Sequence, residues 1–106
     1  MEISVGPLDS LPIGEGRTFT VDGDMVAVFR TRAGAVYAVS AVCPHAGGPI
    51  ADGLADNEVV ICPLHQHVFE LATGCSRTGQ PPLRSYATRV TATGEVLIAT
   101  PVPVDA

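Results

Sequence analysis

Apolar and polar residues alternate along the first forty positions, as they do in strands that bury one face. Residues 17–21 alternate one by one, and the Asp-Gly pair at 22–23 predicts a tight turn into a second strand at 25–29. A further turn at Gly34 leads into a third strand at 35–39. The pattern therefore predicts an antiparallel meander of three short strands.

The second half of the chain predicts further, shorter strands. Residues 59–61 and 67–71 predict two short strands. Residues 83–90, a Thr-Gly turn at 93–94 and an apolar strand at 96–99 predict a closing hairpin. We find no stretch with helical periodicity, so the sequence predicts an all-β protein.

Two segments interrupt this alternation, and each contains one thiol and one imidazole at close spacing. The first reads Cys-Pro-His-Ala-Gly-Gly-Pro-Ile and holds Cys43 and His45. The second reads Cys-Pro-Leu-His and holds Cys62 and His65. Prolines and glycines at this density do not fit a regular sheet ladder, so both segments are predicted to be loops. Two such loops side by side can hold two metal ions.

Zinc is one candidate for these ligands, because sites with two Cys and two His are common. Zinc fingers usually place both Cys before both His. The alternating order of Cys and His in this chain instead fits a 2Fe-2S cluster, in which two Cys hold one iron and two His hold the other. A zinc-stabilised binding module without a redox role stays open as an alternative.

The two segments resemble the paired cluster-binding boxes of Rieske proteins. Prolines and ligands agree, and so does the stretch at 69–74, Phe-Glu-Leu-Ala-Thr-Gly. The surrounding strands resemble soluble Rieske-type ferredoxins of ring-hydroxylating oxygenase systems and nitrite reductase small subunits. The resemblance implies a three-sheet antiparallel sandwich over 1–106, as one Rieske domain, with a small cluster-binding subdomain inserted at about 41–76. It also implies one 2Fe-2S cluster on Cys43, His45, Cys62 and His65.

A chain of this family is expected to transfer single electrons rather than to act as a catalyst on its own. The first hypothesis is a ferredoxin component that carries electrons from a flavin reductase to a terminal oxygenase. The alternative is the small subunit of an NADH-dependent nitrite reductase, with the large subunit as its partner. At 106 residues, the chain is too short for an additional enzyme domain.

The distribution of charge limits the kinds of partner that the chain can bind. The chain has six Arg, no Lys and eleven acidic residues, for a net charge of -5, so it lacks the basic stripe needed for nucleic-acid binding. No Arg occurs at 33–76, whereas Asp52, Asp56, Glu58 and Glu70 do. This span predicts an acidic face, unless the fold brings an Arg alongside it.

The sequence also indicates the cellular compartment of the protein. The N-terminus lacks the basic and apolar regions of a signal peptide, and no apolar run approaches the roughly 18 residues of a spanning helix. We therefore expect a cytoplasmic protein without membrane contact.

Three residues near the second box carry separate expectations. Cys75 is expected to be a small buried thiol, and His67 to face solvent. In high-potential respiratory Rieske proteins, the positions of His67 and Phe69 hold hydroxyl donors, so the resemblance implies a lower potential here.

Overall fold

The computed structural model describes residues 2–21, 23–41, 50–62, 67–79 and 83–99. Within these ranges the chain forms ten β-strands, two short 3₁₀ helices and no α-helix. The strands are β1 (Glu2–Pro7), β2 (Glu15–Val21), β3 (Asp24–Arg30), β4 (Val36–Ser40), β5 (Leu54–Ala55), β6 (Val59–Ile61), β7 (Val68–Glu70), β8 (Ser85–Tyr86), β9 (Thr88–Val90) and β10 (Glu95–Ala99). The 3₁₀ helices are Leu8–Ser10 and Ile50–Asp52. The all-β prediction is confirmed.

The first sheet contains the predicted meander. Its strand order is β2-β3-β4-β8, and all neighbouring pairs are antiparallel. The turns between the first three strands place Gly23 and Gly34 at φ +84° and +91°. Glycine adopts this left-handed backbone at little cost because it has no Cβ, which is why these turns could be located from the sequence.

The second sheet has the order β1-β10-β9, and two of its features differ from the sequence prediction. Strand β1 was not predicted; its pairing with β10 has an irregularity between Ser4 and Gly6. The single strand predicted at 83–90 is in fact two strands, β8 in the first sheet and β9 in the second. The chain changes sheets at Ala87, whose carbonyl accepts a 2.9 Å hydrogen bond from the Ala99 amide.

The third sheet, of order β5-β6-β7, lies within the segment that was expected to form the cluster-binding subdomain. The two-residue strand β5 was not predicted. Together the three antiparallel sheets confirm the expected sandwich architecture.

Strand β3 is buried on both faces and separates two apolar cores. Its Val26 and Val28 point to one core, and Ala27 and Phe29 point to the other. The core on the Val28 side lies between the first two sheets. The core on the Phe29 side, called here the subdomain core, joins the first sheet to the third. Its buried members are Ala27, Phe29, Val39, Ala41, Ile50, Val60, Cys62, Phe69, Leu71 and Leu83.

Candidate metal centre

The two ends of the first predicted ligand loop are hydrogen-bonded to each other and form what we call a neck. The Ile50 amide donates a 2.8 Å hydrogen bond to the Ala41 carbonyl, and both residues are buried. The Ala41 amide in turn donates to the Met25 carbonyl at 3.0 Å, which fixes the neck to the start of β3. Cys43 and His45 are in the intervening segment 42–49, which lies outside the described residues. The two described ends of this segment thus lie side by side.

The second loop has a neck of the same kind. The Cys62 amide donates a 2.8 Å hydrogen bond to the His67 carbonyl. This pair lies next to the paired residues Ile61 and Val68, at the end of β6 and the start of β7. His65 is in the segment 63–66, outside the described residues. Cys62 is therefore the one predicted ligand that the structure describes.

Both necks belong to the subdomain core. Ala41 and Ile50 of the first neck, and Cys62 of the second, pack in this one apolar cluster. Two loops that start from one core are held close to each other at their bases, which is what a metal group shared by both loops requires. The structure thus brings together the roots of the two loops that the sequence motifs predicted.

The surroundings of Cys62 fit the proposed group. Cys62 has no solvent-exposed surface and packs in the same core as Phe69 and Leu71. Two ferric ions, two sulfides and two thiolates sum to zero charge when both imidazoles are neutral. A neutral group is far less costly to place against an apolar core than a charged one. The donor set and the buried thiol are therefore compatible with a cluster that has mixed Cys and His ligands.

Gly53 is a supporting residue that the sequence analysis missed. A Cβ on Gly53 would lie 2.3 Å from the carbonyl oxygen of Ile61, the residue before Cys62. The Gly53 amide also donates to the Ile50 carbonyl at 2.9 Å, so this glycine connects the ends of both necks. Only a residue without a side chain permits this approach. The sequence shows a glycine there but not the strand that it contacts.

The expectation that Cys75 is buried is wrong. Cys75 is exposed, whereas its neighbour Gly74 is buried. The backbone of Cys75 is held in the turn after β7: its carbonyl accepts from the Glu70 amide at 2.8 Å, and its amide donates to the Thr73 hydroxyl at 3.2 Å. This geometry directs the thiol outward, because Gly74 fills the inward position.

The expectation for His67 also needs correction. The residue is half-buried, and its Nε2 atom is shielded from solvent. Its carbonyl closes the second neck, so the residue forms part of the base of the loop. A fully solvent-facing imidazole is therefore not what the structure shows.

The predicted acidic face is partly neutralised, because the fold brings Arg77 alongside it. The Arg77 Nε atom lies 3.3 Å from a carboxylate oxygen of Glu70. The Asp56 carboxylate accepts 2.7 Å hydrogen bonds from the amides of Val59 and Glu58. These bonds, that from Val59 first, lower the pKa of Asp56 from its usual value of 3.8. Asp56 thus shapes the β5–β6 turn rather than serving only as surface charge.

Comparison with protein families identifies the fold and the motif together. Residues 1–91 match the family described as Rieske [2Fe-2S] domain. The chain belongs to this family. The Rieske assignment from the two sequence boxes is confirmed, and the cofactor of this Rieske chain is a 2Fe-2S cluster.

Curated relatives include ferredoxins and a larger iron-sulfur protein. The chain is 32% identical over 72 residues, 68% of each chain, to the ferredoxin component of naphthalene 1,2-dioxygenase/salicylate 5-hydroxylase systems from Ralstonia sp. It is 36% identical over 90 residues to the cytochrome b6-f complex iron-sulfur subunit of Chlorobaculum thiosulfatiphilum, covering 84% of this chain and 49% of that one. Sequence similarity thus extends both to a ferredoxin component and to the iron-sulfur subunit of a larger complex.

Solved structures similar to this Rieske chain include an oxygenase ferredoxin and a nitrite reductase small subunit. The ferredoxin of carbazole 1,9a-dioxygenase from Nocardioides aromaticivorans IC177 is 35% identical, with a TM-score of 0.84 over 93% of this chain and 97% of that one. A candidate NADH-dependent nitrite reductase small subunit from Mycobacterium tuberculosis is 26% identical, with a TM-score of 0.91 over 97% of both chains. Both are close to this chain in size as well as in fold.

These findings establish the general role of the Rieske chain as a ferredoxin-like electron-transfer protein with protein redox partners. Because the cofactor of the family is an iron-sulfur cluster, the alternative of a zinc-stabilised binding module is not supported. Among the described residues, no helix is long and apolar enough to cross a membrane.

Proposed function

We propose that this chain is a Rieske-type ferredoxin that receives electrons from a flavin reductase and delivers them to a terminal oxygenase. We further propose that Cys43 and Cys62 hold one iron of its cluster, and His45 and His65 the other. The observation that carries this assignment is the pair of loop necks, 41–50 and 62–67, rooted in one buried core. Cys43, His45 and His65 lie in sequence between the ends of these necks, and Cys62 forms part of the second neck.

The bound cluster supplies reversible one-electron exchange. The residues of the chain hold it, exclude water from the Cys62 side and carry its loops at one end of the third sheet. With all four protein ligands in place, the irons have no open position for a substrate. This arrangement suits a carrier better than an enzyme that works alone.

The choice of an oxygenase partner rests on sequence. The carbazole dioxygenase ferredoxin is 35% identical to this chain, and 97% of that chain is covered. The Ralstonia ferredoxin is 32% identical over 72 residues. Similarity of this extent, over proteins of matching size, supports a shared role as a separate ferredoxin component.

A second candidate is the small subunit of an NADH-dependent nitrite reductase. The observation that favours it is the TM-score of 0.91 with the Mycobacterium tuberculosis protein, over 97% of both chains. The two candidates share the cluster and differ in the protein that accepts the electron.

Reconstitution distinguishes the two. The purified holoprotein is mixed with NADH, a flavin reductase of a ring-hydroxylating system and its terminal oxygenase, and product formation is followed. We expect hydroxylated product that depends on this chain, and none with the Cys62→Ser variant. A chain that supports no oxygenase turnover, but restores nitrite reduction to a sirohaem-containing large subunit, would contradict the first proposal and support the second.

A further inference from the structure

The backbone amide of Val68, in β7, points away from the neighbouring strand β6. Cys62 and His67 form a hydrogen-bonded pair at the neck, through the Cys62 amide and the His67 carbonyl at 2.8 Å. In an antiparallel ladder, hydrogen-bonded and non-bonded pairs alternate. The adjacent pair, Ile61 and Val68, is therefore of the non-bonded type. Val68 thus directs both its N–H and its C=O outward, where they need other partners.

The segment after the β7 turn provides those partners. The Val68 carbonyl accepts a 2.8 Å hydrogen bond from the Arg77 amide. The Val68 amide donates to the Thr78 hydroxyl, with 3.3 Å between nitrogen and oxygen. Ser76 forms an antiparallel bridge with Phe69, so this segment runs along the outer edge of β7. At Thr78, the side-chain hydroxyl accepts the hydrogen bond of the Val68 amide that a backbone carbonyl would accept in a regular sheet.

The Thr78 hydroxyl is itself held in position. The oxygens of Ser76 and Thr78 are 3.2 Å apart, and the Thr78 amide donates to the Ser76 hydroxyl at 3.0 Å. This local turn presents the Thr78 oxygen to β7. The two hydroxyls therefore form one unit, called here the hydroxyl clip, that fixes the amide following the second ligand loop.

We propose that Thr78 is a positioning residue for the second ligand loop, with Ser76 as its support. The hydroxyl clip holds Val68 on the edge of β7 that faces away from β6. The hydrogen bond between Cys62 and His67 holds His67 on the edge that faces β6. Together they set the direction in which the chain leaves the loop that contains His65. Loss of the hydroxyl removes this acceptor from the Val68 amide and loosens the described end of the loop at His67 and Val68. This inference rests on the proposed assignment of Cys62 and His65 as ligands.

The test compares Thr78→Val with two other holoproteins. Thr78→Ser keeps the hydroxyl. Thr91→Val removes a matched hydroxyl from the remote β9–β10 turn, where the Glu95 amide donates to Thr91 at 3.0 Å and Thr93 lies beside it. The measurements are hydrogen exchange at the Val68 amide, the rate of cluster loss to a chelator, the EPR spectrum and the midpoint potential.

For Thr78→Val we expect Val68 exchange and cluster loss to be about two- to tenfold faster, as loss of one ordinary hydrogen bond implies. Its EPR lines should shift or broaden and its potential should change. Thr78→Ser should restore all four readouts, and Thr91→Val should leave the EPR spectrum and the potential unchanged. Ser76→Ala should change the readouts in the same direction by less, and this variant carries the test if Thr78→Val does not fold.

Two outcomes would overturn the inference. One is faster Val68 exchange in Thr78→Val with an EPR spectrum and potential identical to wild type, which would make the hydroxyl merely structural. The other is failure of Thr78→Ser to restore the wild-type values. A Cys62→Ser protein that keeps its full cluster would instead refute the ligand assignment, so the two failures are distinguishable.

Discussion

Replacing Gly74 with alanine is expected to loosen the attachment of the third sheet. Gly74 lies in the left-handed region at φ +79°. A Cβ there would be 2.1 Å from the carbonyl oxygen of Leu83, a buried member of the subdomain core. The Gly74 carbonyl also accepts a 2.7 Å hydrogen bond from the Leu83 amide. The substitution therefore strains the turn and displaces a backbone segment on which the core depends.

The magnitude follows from two contributions. A left-handed conformation costs a residue other than glycine about 1–2 kcal/mol. Displacing Leu83 adds a cost comparable to overpacking a core, about 1–3 kcal/mol. Gly94→Ala is the matched control, because Gly94 has φ +86° and a Cβ added there would meet no atom within 4 Å. The control isolates the first contribution, so the difference between the variants measures the second.

Thermal unfolding of the two holoproteins gives that difference. For a domain of about this size, 1 kcal/mol changes Tm by roughly 4–8 °C. We expect Gly74→Ala to unfold roughly 5–15 °C below Gly94→Ala and to lose its visible absorbance earlier on heating. Equal midpoints for the two variants would show that the Leu83 segment moves aside freely, and would refute the reasoning.

Three further predictions concern single side chains. The lowered pKa of Asp56 means that its stabilising effect is complete above its usual value of 3.8 and is lost as pH falls through the lowered value; the gap in Tm between wild type and Asp56→Asn should thus close on acidification, and a constant gap would contradict this. Cys75→Ser should leave the visible spectrum unchanged, because the exposed thiol lies outside both boxes; bleaching would show that it is a ligand. The midpoint potential should lie in the lower part of the Rieske span of about -150 to +300 mV, and Phe69→Tyr should raise it by adding a hydroxyl donor; an unchanged potential in voltammetry would refute that mechanism.

The central meander was predictable because its determinants are local. Alternation along β2 and the apolar residues of β3 and β4 indicate the strands, and Gly23 and Gly34 mark the turns between them. Strand β1 depends instead on a partner at the far end of the chain, since Glu2 pairs with Ala99. Its local pattern is short: only residues 2–5 alternate before Gly6 and Pro7, which are unfavourable in strands.

The division of residues 83–90 between two sheets shows a different limit. No glycine or proline interrupts residues 83–90, so the sequence predicts one strand. The break arises because β8 pairs with β4 whereas β9 pairs with β10. Which partner each half finds is decided by the packing of the whole sandwich.

The site shows the same contrast. The four ligands were predicted from residue type and spacing together with the resemblance to Rieske boxes. They stay predictions, as does the single-domain organisation over 1–106. The contacts that support the site did not follow, because Gly53 approaches Ile61 and Thr78 approaches Val68 only in the folded chain. The burial of Cys75 was wrongly predicted because the turn after β7 directs Gly74 inward instead.

The most direct test is the content of iron, acid-labile sulfide and zinc in the purified wild-type chain and in Cys62→Ser. The assignment predicts a red-brown protein with about two irons and about two sulfides per chain. Cys62→Ser should lose the colour, both components and much of the stability, because cluster binding and folding are coupled. One zinc with no sulfide in wild type, or a full complement of iron and sulfide in Cys62→Ser, would contradict it.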